Sequence, residues 1–481
     1  MGPARRPTHG WFSVFLSYYY VRVRLGQAGR LTLRTRPRYS GDTMPSQAAG
    51  RPRDRKGLLY RAPRGTSVVL PADQPYWRLV RETAERVCRA FGYQRIDTPT
   101  FEDARVFLRG VGEGTDIVEK EMYVFEDRGG ERMALRPEGT ANTCRAYLQH
   151  GMHVLPQPVR LYYVSPIFRY DRPQAGRYRQ HTQLGAEAIG DGDPLVDAEM
   201  IDLLVTFYSA LGLWGLTLHL NSIGDPRCRP GYLRSLRSHY ADKLDRVCSD
   251  CRLRYEKNPL RLLDCKEKQC QPVIAGAPPL TDSLCDDCAA HFDGLRRYLD
   301  GLGIAHKINP RLVRGLDYYT RTVFEFQPAR GGAQSTVGGG GRYDGLIELL
   351  GGPPTPGIGF GTGFERIILN LRRQGVEPPG APGPLVYVAH QSEGARREAL
   401  RLASLLRRAS VTAIVAVGDR SLKSQMRQAD GLGVAYTVIL GEREVAAGTV
   451  LLKSMADGSQ REMAPQEALD FLARQMNESL P

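Results

Sequence analysis

The segment PGIGFGTGFERIILNL (356–371) carries glycine at 357, 359, 361 and 363, every second position, and then turns to helical spacing. Alternate residues of an extended strand share a face, so these four glycines leave one face of a strand bare. A flat ring or a second backbone can approach such a face closely. Arg366 follows near the start of the next helix, where exposed N–H groups favour anions. The pattern is not a dinucleotide GxGxxG, and no GK[ST] of a phosphate loop follows.

The stretch LVRGLDYYTRTVFEF (312–326) poses a related problem. Its second half alternates as a strand, with Thr320, Thr322, Phe324 and Phe326 on one face and Arg321, Val323 and Glu325 on the other. Directly before it, Arg314, Asp317, Tyr318 and Tyr319 gather around Gly315. An arginine, an approachable backbone and two phenols at the mouth of a sheet suit a small polar ligand.

The 481 residues suffice for two to four domains at roughly 100–200 residues each. The formal net charge of +14 is unevenly placed. Residues 1–57 hold twelve Lys/Arg against two acids, Asp42 and Asp54, so the remainder is only mildly basic. That charge permits an RNA partner without requiring one. Residues 1–57 read as a basic, disordered extension, with Met44 an alternative start. The apolar run WFSVFLSYYYV (11–21) is too short for a span of roughly 20 residues, so no membrane segment is expected.

A helix is expected over 75–93 and an amphipathic helix over 194–211, with strands at 122–127, 132–139, 159–171, 179–190 and 216–224. Residues 226–305 change to a helical, Arg-rich character and read as an insertion. The core is therefore divided into 58–225 and 306–371. A Gly/Pro linker covers 372–383. Residues 384–481 alternate strand and helix, which implies a small α/β domain with a largely parallel sheet.

Six of the nine cysteines lie between Cys248 and Cys288. Without secretory context they read as thiols or metal ligands. Two C-x-x-C pairs, Cys248/Cys251 and Cys285/Cys288, suit one structural Zn²⁺, while six thiols exceed one site's four ligands.

Three further pieces carry chemistry. LRPEGT (135–140) brings a carboxylate, Glu138, close to a hydroxyl, Thr140, a pair suited to an ammonium group. IFRYDRPQAGRYRQHTQLGAE (167–187) sets Arg169, Arg177 and Arg179 around a Pro/Gly loop between two strands, and clustered guanidinium groups suit phosphates. Gln183 and Glu187 share one face of the second strand.

Together, an arginine hairpin and Gly-x-Gly-x-Gly-x-Glu-Arg at a strand–helix junction resemble motifs two and three of class II aminoacyl-tRNA synthetases. The helix at 75–93 with Pro99 is similar to motif one, a dimer element. LRPEGT, FRYDRPQAGRYRQHTQLGAE, LVRGLDYYTRTVFEF and GGGGRYDGL narrow the resemblance to histidyl-tRNA synthetases, over roughly 58–481. The resemblance implies an α/β fold: an α+β catalytic core with an antiparallel sheet flanked by helices, a helical insertion, and a carboxy-terminal anticodon-binding domain. It implies ATP and L-histidine as substrates, Mg²⁺ on the phosphates, histidine tRNA as partner, a homodimer and a cytoplasmic location. It places Glu138, Thr140 and Gln183 on the α-amino group, Glu187 and Tyr319 on the imidazole, and Tyr318 in the same pocket. Arg169 and Arg314 would flank the reacting carboxylate and α-phosphate, and Arg177 and Arg366 the outer phosphates of ATP. A free RNA-binding protein without catalysis would not need the complete set of ATP-site arginines, and two other readings compete. One is a regulatory, non-catalytic paralogue, expected to lack the carboxy-terminal domain and to erode these motifs. The other is a different class II synthetase of the same subgroup, whose pocket would need no acid to read a ring N–H.

Overall fold

The structure, a computed structural model, describes residues 60–479 apart from 113–114, 116, 175, 330–335 and 381–382, together with a short antiparallel pair, Val23–Leu25 and Leu31–Leu33. The expected disorder of residues 1–57, the alternative start at Met44 and the apolar run at 11–21 lie almost wholly outside the described residues. Among the described residues, no helix is long and apolar enough to cross a membrane. The chain divides into a unit spanning Leu58–Gly380 and a unit that holds the carboxy-terminal residues.

The larger unit is built on an eight-stranded sheet. Its order is His306–Ile308, Leu216–Ser222, Thr320–Pro328, Gly338–Arg342, Gly357–Gly363, Gln180–Ile189, Val159–Phe168 and Gln94–Arg95. Neighbours are antiparallel except for the pairs at the two edges. An antiparallel sheet can put one face on a core and leave the other to a ligand. Leu184, Ala186, Leu218, Leu220, Phe324, Phe326, Ile358 and Phe360 join one buried cluster with the helices Gln74–Ala90, Pro194–Ala210, Asp286–Gly301 and Phe364–Arg373.

Three expectations change. Pro194–Ala210 was expected to be amphipathic, yet it buries residues nearly all round, because the sheet lies on one side and the helices Gln74–Ala90 and Asp286–Gly301 pack on others. Helix Asp286–Gly301 falls within the expected insertion, but Phe292, Leu295 and Leu299 belong to the main core. Strand Thr320–Pro328 does not alternate from its first residue. Its register against Gly338–Arg342 shifts between Thr320 and Val323, and Arg321 has φ 49°, a left-handed conformation uncommon outside glycine.

The Gly338–Arg342 strand is fully buried and has only one side chain to hold it. That side chain, Arg342, crosses to helix Pro194–Ala210. Its Nε donates to Asp197 Oδ1 at 3.0 Å, and its Nη2 also reaches Asp197. It donates further to Asp344 Oδ1 (3.1 Å) and to the Asp191 (3.0 Å) and Asp193 (3.2 Å) carbonyls. Both partners are fully buried. A desolvated pair of this kind stabilises little over an apolar pair, but breaking it leaves a charge stranded.

In the carboxy-terminal unit the order is Ala413–Val415, Val386–His390, Tyr436–Leu440, Val450–Ser454 and Gln460–Met463. The first three are parallel, as the strand–helix alternation predicts. The last two are antiparallel, since short connections cannot return a chain parallel to itself.

Replacing Arg342 alone by Met should destabilise the larger unit by about 3–5 kcal/mol. The double replacement Arg342→Met with Asp197→Leu should cost clearly less than the two single changes together. Urea midpoints across the four proteins measure this; simple additivity would show that the pair carries no coupling.

Candidate active site

The remaining face of the sheet is where the glycines lie. Gly339 and Gly341, and then Gly357, Gly359 and Gly361, have no side chain to fill it, and the chain's own functional groups take the space. A Cβ on Gly359 would lie 1.9 Å from Glu187 Oε2, and one on Gly361 2.0 Å from Gln183 Nε2. A Cβ on Gly341 would meet the Tyr319 ring at 2.9 Å, and one on Gly339 would meet Arg314 Nη1 at 3.1 Å. The bare face therefore admits side chains from neighbouring strands before it admits any ligand.

Above it lies a cavity of about 540 Å³. Glu138, Thr140, Arg169, Arg177, Gln183, Arg314, Tyr318, Tyr319 and Arg366 all line it. Of the residues expected to contact substrate, only Glu187 stands back from the cavity surface. It is fully buried, and three hydroxyls converge on its carboxylate: Thr140 Oγ1 donates at 2.8 Å, Tyr343 at 2.7 Å and Tyr163 at 3.3 Å. Burial pushes the Glu187 carboxyl up to about 8, against the pull of those hydroxyls. Tyr163 and Tyr343 escaped the sequence reading. Their one signal is glycine: a Cβ on Gly185 would strike the Tyr163 ring at 2.1 Å, and one on Gly357 would strike Tyr343 at 2.3 Å.

Glu138 has a local task. Its two oxygens accept from the Thr140 (2.6 Å) and Ala141 (2.7 Å) amides and cap the helix Thr140–Gln149. Arg136 fixes the loop before it, donating to the carbonyls of Pro166 (2.7 Å) and Thr98 (2.8 Å). Arg169 donates to the Pro137 carbonyl at 2.7 Å.

Two networks meet at Arg314. On one side its guanidinium carbon stands 6.0 Å from the centre of the Tyr319 ring, Tyr319 is 4.7 Å from Tyr318 and Tyr318 is 5.9 Å from Tyr343, which binds Glu187. On the other side Arg314 pairs with Glu325, which accepts from Thr336 Oγ1 at 2.9 Å. Arg366 donates to the Thr336 carbonyl and to that of Gly176 (2.8 Å), the residue beside Arg177. Burial alone would raise Glu325, but Arg314 and the Gln327 and Thr336 hydrogen bonds outweigh it and hold the carboxyl below its usual range. Arg314 Nε is buried without a partner among the described residues. His181, also in the lining, is driven down to about 3 by burial and by Arg169 and Arg366, so it is neutral at pH 7. Burial pushes Glu365 up to about 7, and its Oε2 has no partner among the described residues.

The cysteines divide differently from the expected single set. Cys248 and Cys251 lie with Cys265 and Cys270, whereas Cys285 and Cys288 lie with Asp225 and Cys228. The two C-x-x-C pairs open separate helices, Ser249–Lys257 and Asp286–Gly301, and the second is committed to the main core.

Comparison with known proteins decides the family. A family model described as histidyl-tRNA synthetase matches residues 65–225 and 272–367. The chain belongs to the histidyl-tRNA synthetase family. It is thus related to ATP-dependent aminoacyl-tRNA ligases. An anticodon-binding-domain model matches residues 385–475. A histidine–tRNA ligase of Dehalococcoides mccartyi is 56% identical over 84% of this chain and 96% of its own length. One from Pelotomaculum thermopropionicum is 50% identical over 86% of this chain and 98% of its own. The crystal structure of apo histidyl-tRNA synthetase from S. aureus superposes with a TM-score of 0.72 at 36% identity, covering 86% of this chain and all of that one. The carboxy-terminal domain that a regulatory paralogue would lack is present.

Glu187 makes a pH prediction. Its carboxyl rises from an ordinary 4.5 to about 8 on folding, so the folded chain keeps a proton that the unfolded chain releases. This contribution to stability is complete below the unfolded value and is lost as pH rises through the folded one. Glu187→Gln carries no such proton. Its stability relative to the parent should therefore improve, by up to a few kcal/mol, between about pH 5 and about pH 8.5. Urea midpoints of both proteins at the two pH values measure it; a constant difference would refute the shift.

Proposed function

We propose that this cavity performs the reaction of a histidine–tRNA ligase, with the residues in the following roles. A carboxylate oxygen of L-histidine attacks the α-phosphorus of ATP, and the bond to pyrophosphate breaks to leave histidyl-adenylate. The terminal hydroxyl of histidine tRNA then attacks the activated carbonyl, and AMP leaves. The observation that carries this reading is the meeting at Arg314 of two unlike networks, one of phenols and carboxylates, the other of arginines.

The amino-acid side of the cavity offers Glu138, Thr140 and Gln183 to an ammonium group. Tyr319, with Tyr318 beside it, faces the ring. Glu187 acts with it from behind Thr140, and its proton-holding carboxyl can either donate to or accept from an imidazole, which itself does both. The cation side offers Arg177 and Arg366 to the outer phosphates. Arg169 and Arg314 flank the reacting atoms.

No side chain need remove a proton in the first step, because the attacking carboxylate is already an anion. Catalysis is then positioning and charge stabilisation. Arg314 is held by Glu325 on one side and keeps Nε unpartnered, so it can take up charge that develops on the α-phosphate without first leaving a partner. Neutral His181 adds no competing charge. Glu365, with a buried unpartnered carboxylate oxygen, fits a Mg²⁺ ligand. Bound Mg²⁺ would neutralise phosphate charge there. A homodimer, histidine tRNA met through the carboxy-terminal domain, and a cytoplasmic location belong to the same proposal.

Histidine-dependent ATP–pyrophosphate exchange against a panel of amino acids tests it. Exchange with histidine alone is expected; none with any amino acid, on a folded ATP-binding chain, would move the reading to a regulatory subunit. Arg314→Ala should lower kcat by about 10²–10³ while KM for histidine changes far less. An unchanged kcat with a large rise in KM would make Arg314 a binding residue only.

A further inference from the structure

Seven of the nine cysteines form two groups, neither of which the ligase chemistry uses. In the first, Cys248, Cys251, Cys265 and Cys270 bring four sulfurs within 4.8 Å of one another. In the second, Cys228, Cys285 and Cys288 do the same with a carboxylate oxygen of Asp225.

The spacings are those of a shared ion and not of cross-links. Cys248 Sγ and Cys265 Sγ are 3.8 Å apart, and Cys228 Sγ and Cys288 Sγ 3.9 Å. Four sulfurs at about 2.3 Å around one tetrahedral ion stand about 3.8 Å from each other, whereas a disulfide brings them to about 2.05 Å. In the second group Asp225 Oδ1 is 3.6 Å from Cys228 Sγ and 4.0 Å from Cys285 Sγ, also ligand-to-ligand distances. Backbone amides already point at the sulfurs: the Cys251 amide donates to Cys248 Sγ at 3.4 Å and the Cys248 amide to Cys270 Sγ at 3.2 Å. Such donors offset the charge of bound thiolates.

We propose that the chain binds two Zn²⁺ ions at separate tetrahedral sites, one of four cysteines and one of three cysteines and Asp225. Soft, closely grouped thiolates select zinc over the harder divalent ions, and four protein ligands make each site structural and not catalytic. Each coordinating thiol gives up its proton to solvent. This explains why the cysteines outnumber one site's ligands and why the two C-x-x-C pairs do not meet.

The first ion has a place in the architecture. Cys248 and Cys265 themselves line the cavity that holds Arg314. Between Cys251 and Cys265 the chain reaches back to it: Asn258 donates to Asp317 Oδ1 at 2.6 Å, and Arg261 to the Arg314 carbonyl at 3.3 Å. Of the short helices here, Ser249–Lys257 and Lys268–Cys270 each bury a single cysteine while Pro259–Asp264 packs Leu262 and Leu263 inward, so an ion joining the cysteines ties these pieces into one wall of the cavity.

Zinc content of the purified, reduced, full-length chain after reconstitution with zinc tests this, and it needs no activity assay. A failure here therefore leaves the ligase reading untouched. About two Zn²⁺ per chain are expected, with Cys265→Ser and Cys288→Ser each losing one. Content below about 0.2 per chain overturns both sites. One ion, lost in Cys265→Ser and kept in Cys288→Ser, upholds the first site and overturns the second. Should the variants fail to fold, Co²⁺ substitution in the unaltered chain decides. Tetrahedral ligand-field bands with sulfur-to-cobalt charge transfer support the sites, and their absence overturns them.

Discussion

The site rests on steric exclusion. Where glycines 339, 341, 359 and 361 face the cavity, any Cβ would fall between 1.9 and 3.1 Å from a side chain that the site needs. A side chain can swing aside, but a Cβ on Gly339, Gly341 or Gly359 would also stand 2.6, 2.4 or 2.7 Å from the Phe324, Thr322 or Ala186 carbonyl oxygen, which moves only with the sheet, so the sheet centre stays bare on this face. A strand such as Gly338–Arg342 then has almost nothing with which to pack. Its position is set by hydrogen bonds to its neighbours and by one side chain, Arg342, anchored through the opposite face to Asp197. Openness on one side of the sheet is thus coupled to a buried ion pair on the other.

Burial then sorts the charges. Glu187 and Glu365 are pushed up towards neutrality, to about 8 and about 7, and His181 is pushed down to about 3. Glu325 moves the other way because Arg314 stands beside it. The positive charge that remains in the lining is therefore concentrated on guanidinium groups, which do not titrate in the physiological range. Such a surface is suited to the polyphosphate of the proposed ATP site, while the hydroxyl-rich side is suited to telling neutral from cationic groups by hydrogen bonding.

Much of this was legible in the chain. Alternate glycines at 357–363 announced a strand with one empty face, and the 3.6-residue spacing at 75–93 announced a helix. Clustered arginines at 169–179 suggested anion chemistry; Arg169 and Arg177 line the cavity, whereas Arg179 lies over the Tyr170 ring and does not. What fills the empty face was not legible. Glu187 and Gln183 come from the neighbouring strand, and Tyr343 from the turn after the glycine strand. The three-hydroxyl shell of Glu187 draws on residues 140, 163 and 343, far apart in sequence. Helix Pro194–Ala210 looked half-exposed because periodicity records which side chains are apolar, not how many neighbours surround a helix.

The cysteines mark the limit most clearly. Sequence alone determined that thiols at C-x-x-C spacing lie on helical turns and suit a tetrahedral ion, because a ligand pair three residues apart is a local property of the backbone. It could not determine which pairs come together. Only the tertiary structure decided that, by committing Asp286–Gly301 to the main core beside Asp225 while Ser249–Lys257 folds back on the turns that carry Cys265 and Cys270. Local geometry is fixed by dihedral angles and side-chain type. The meeting of distant segments is fixed by which apolar faces bury each other, and that depends on the whole chain at once.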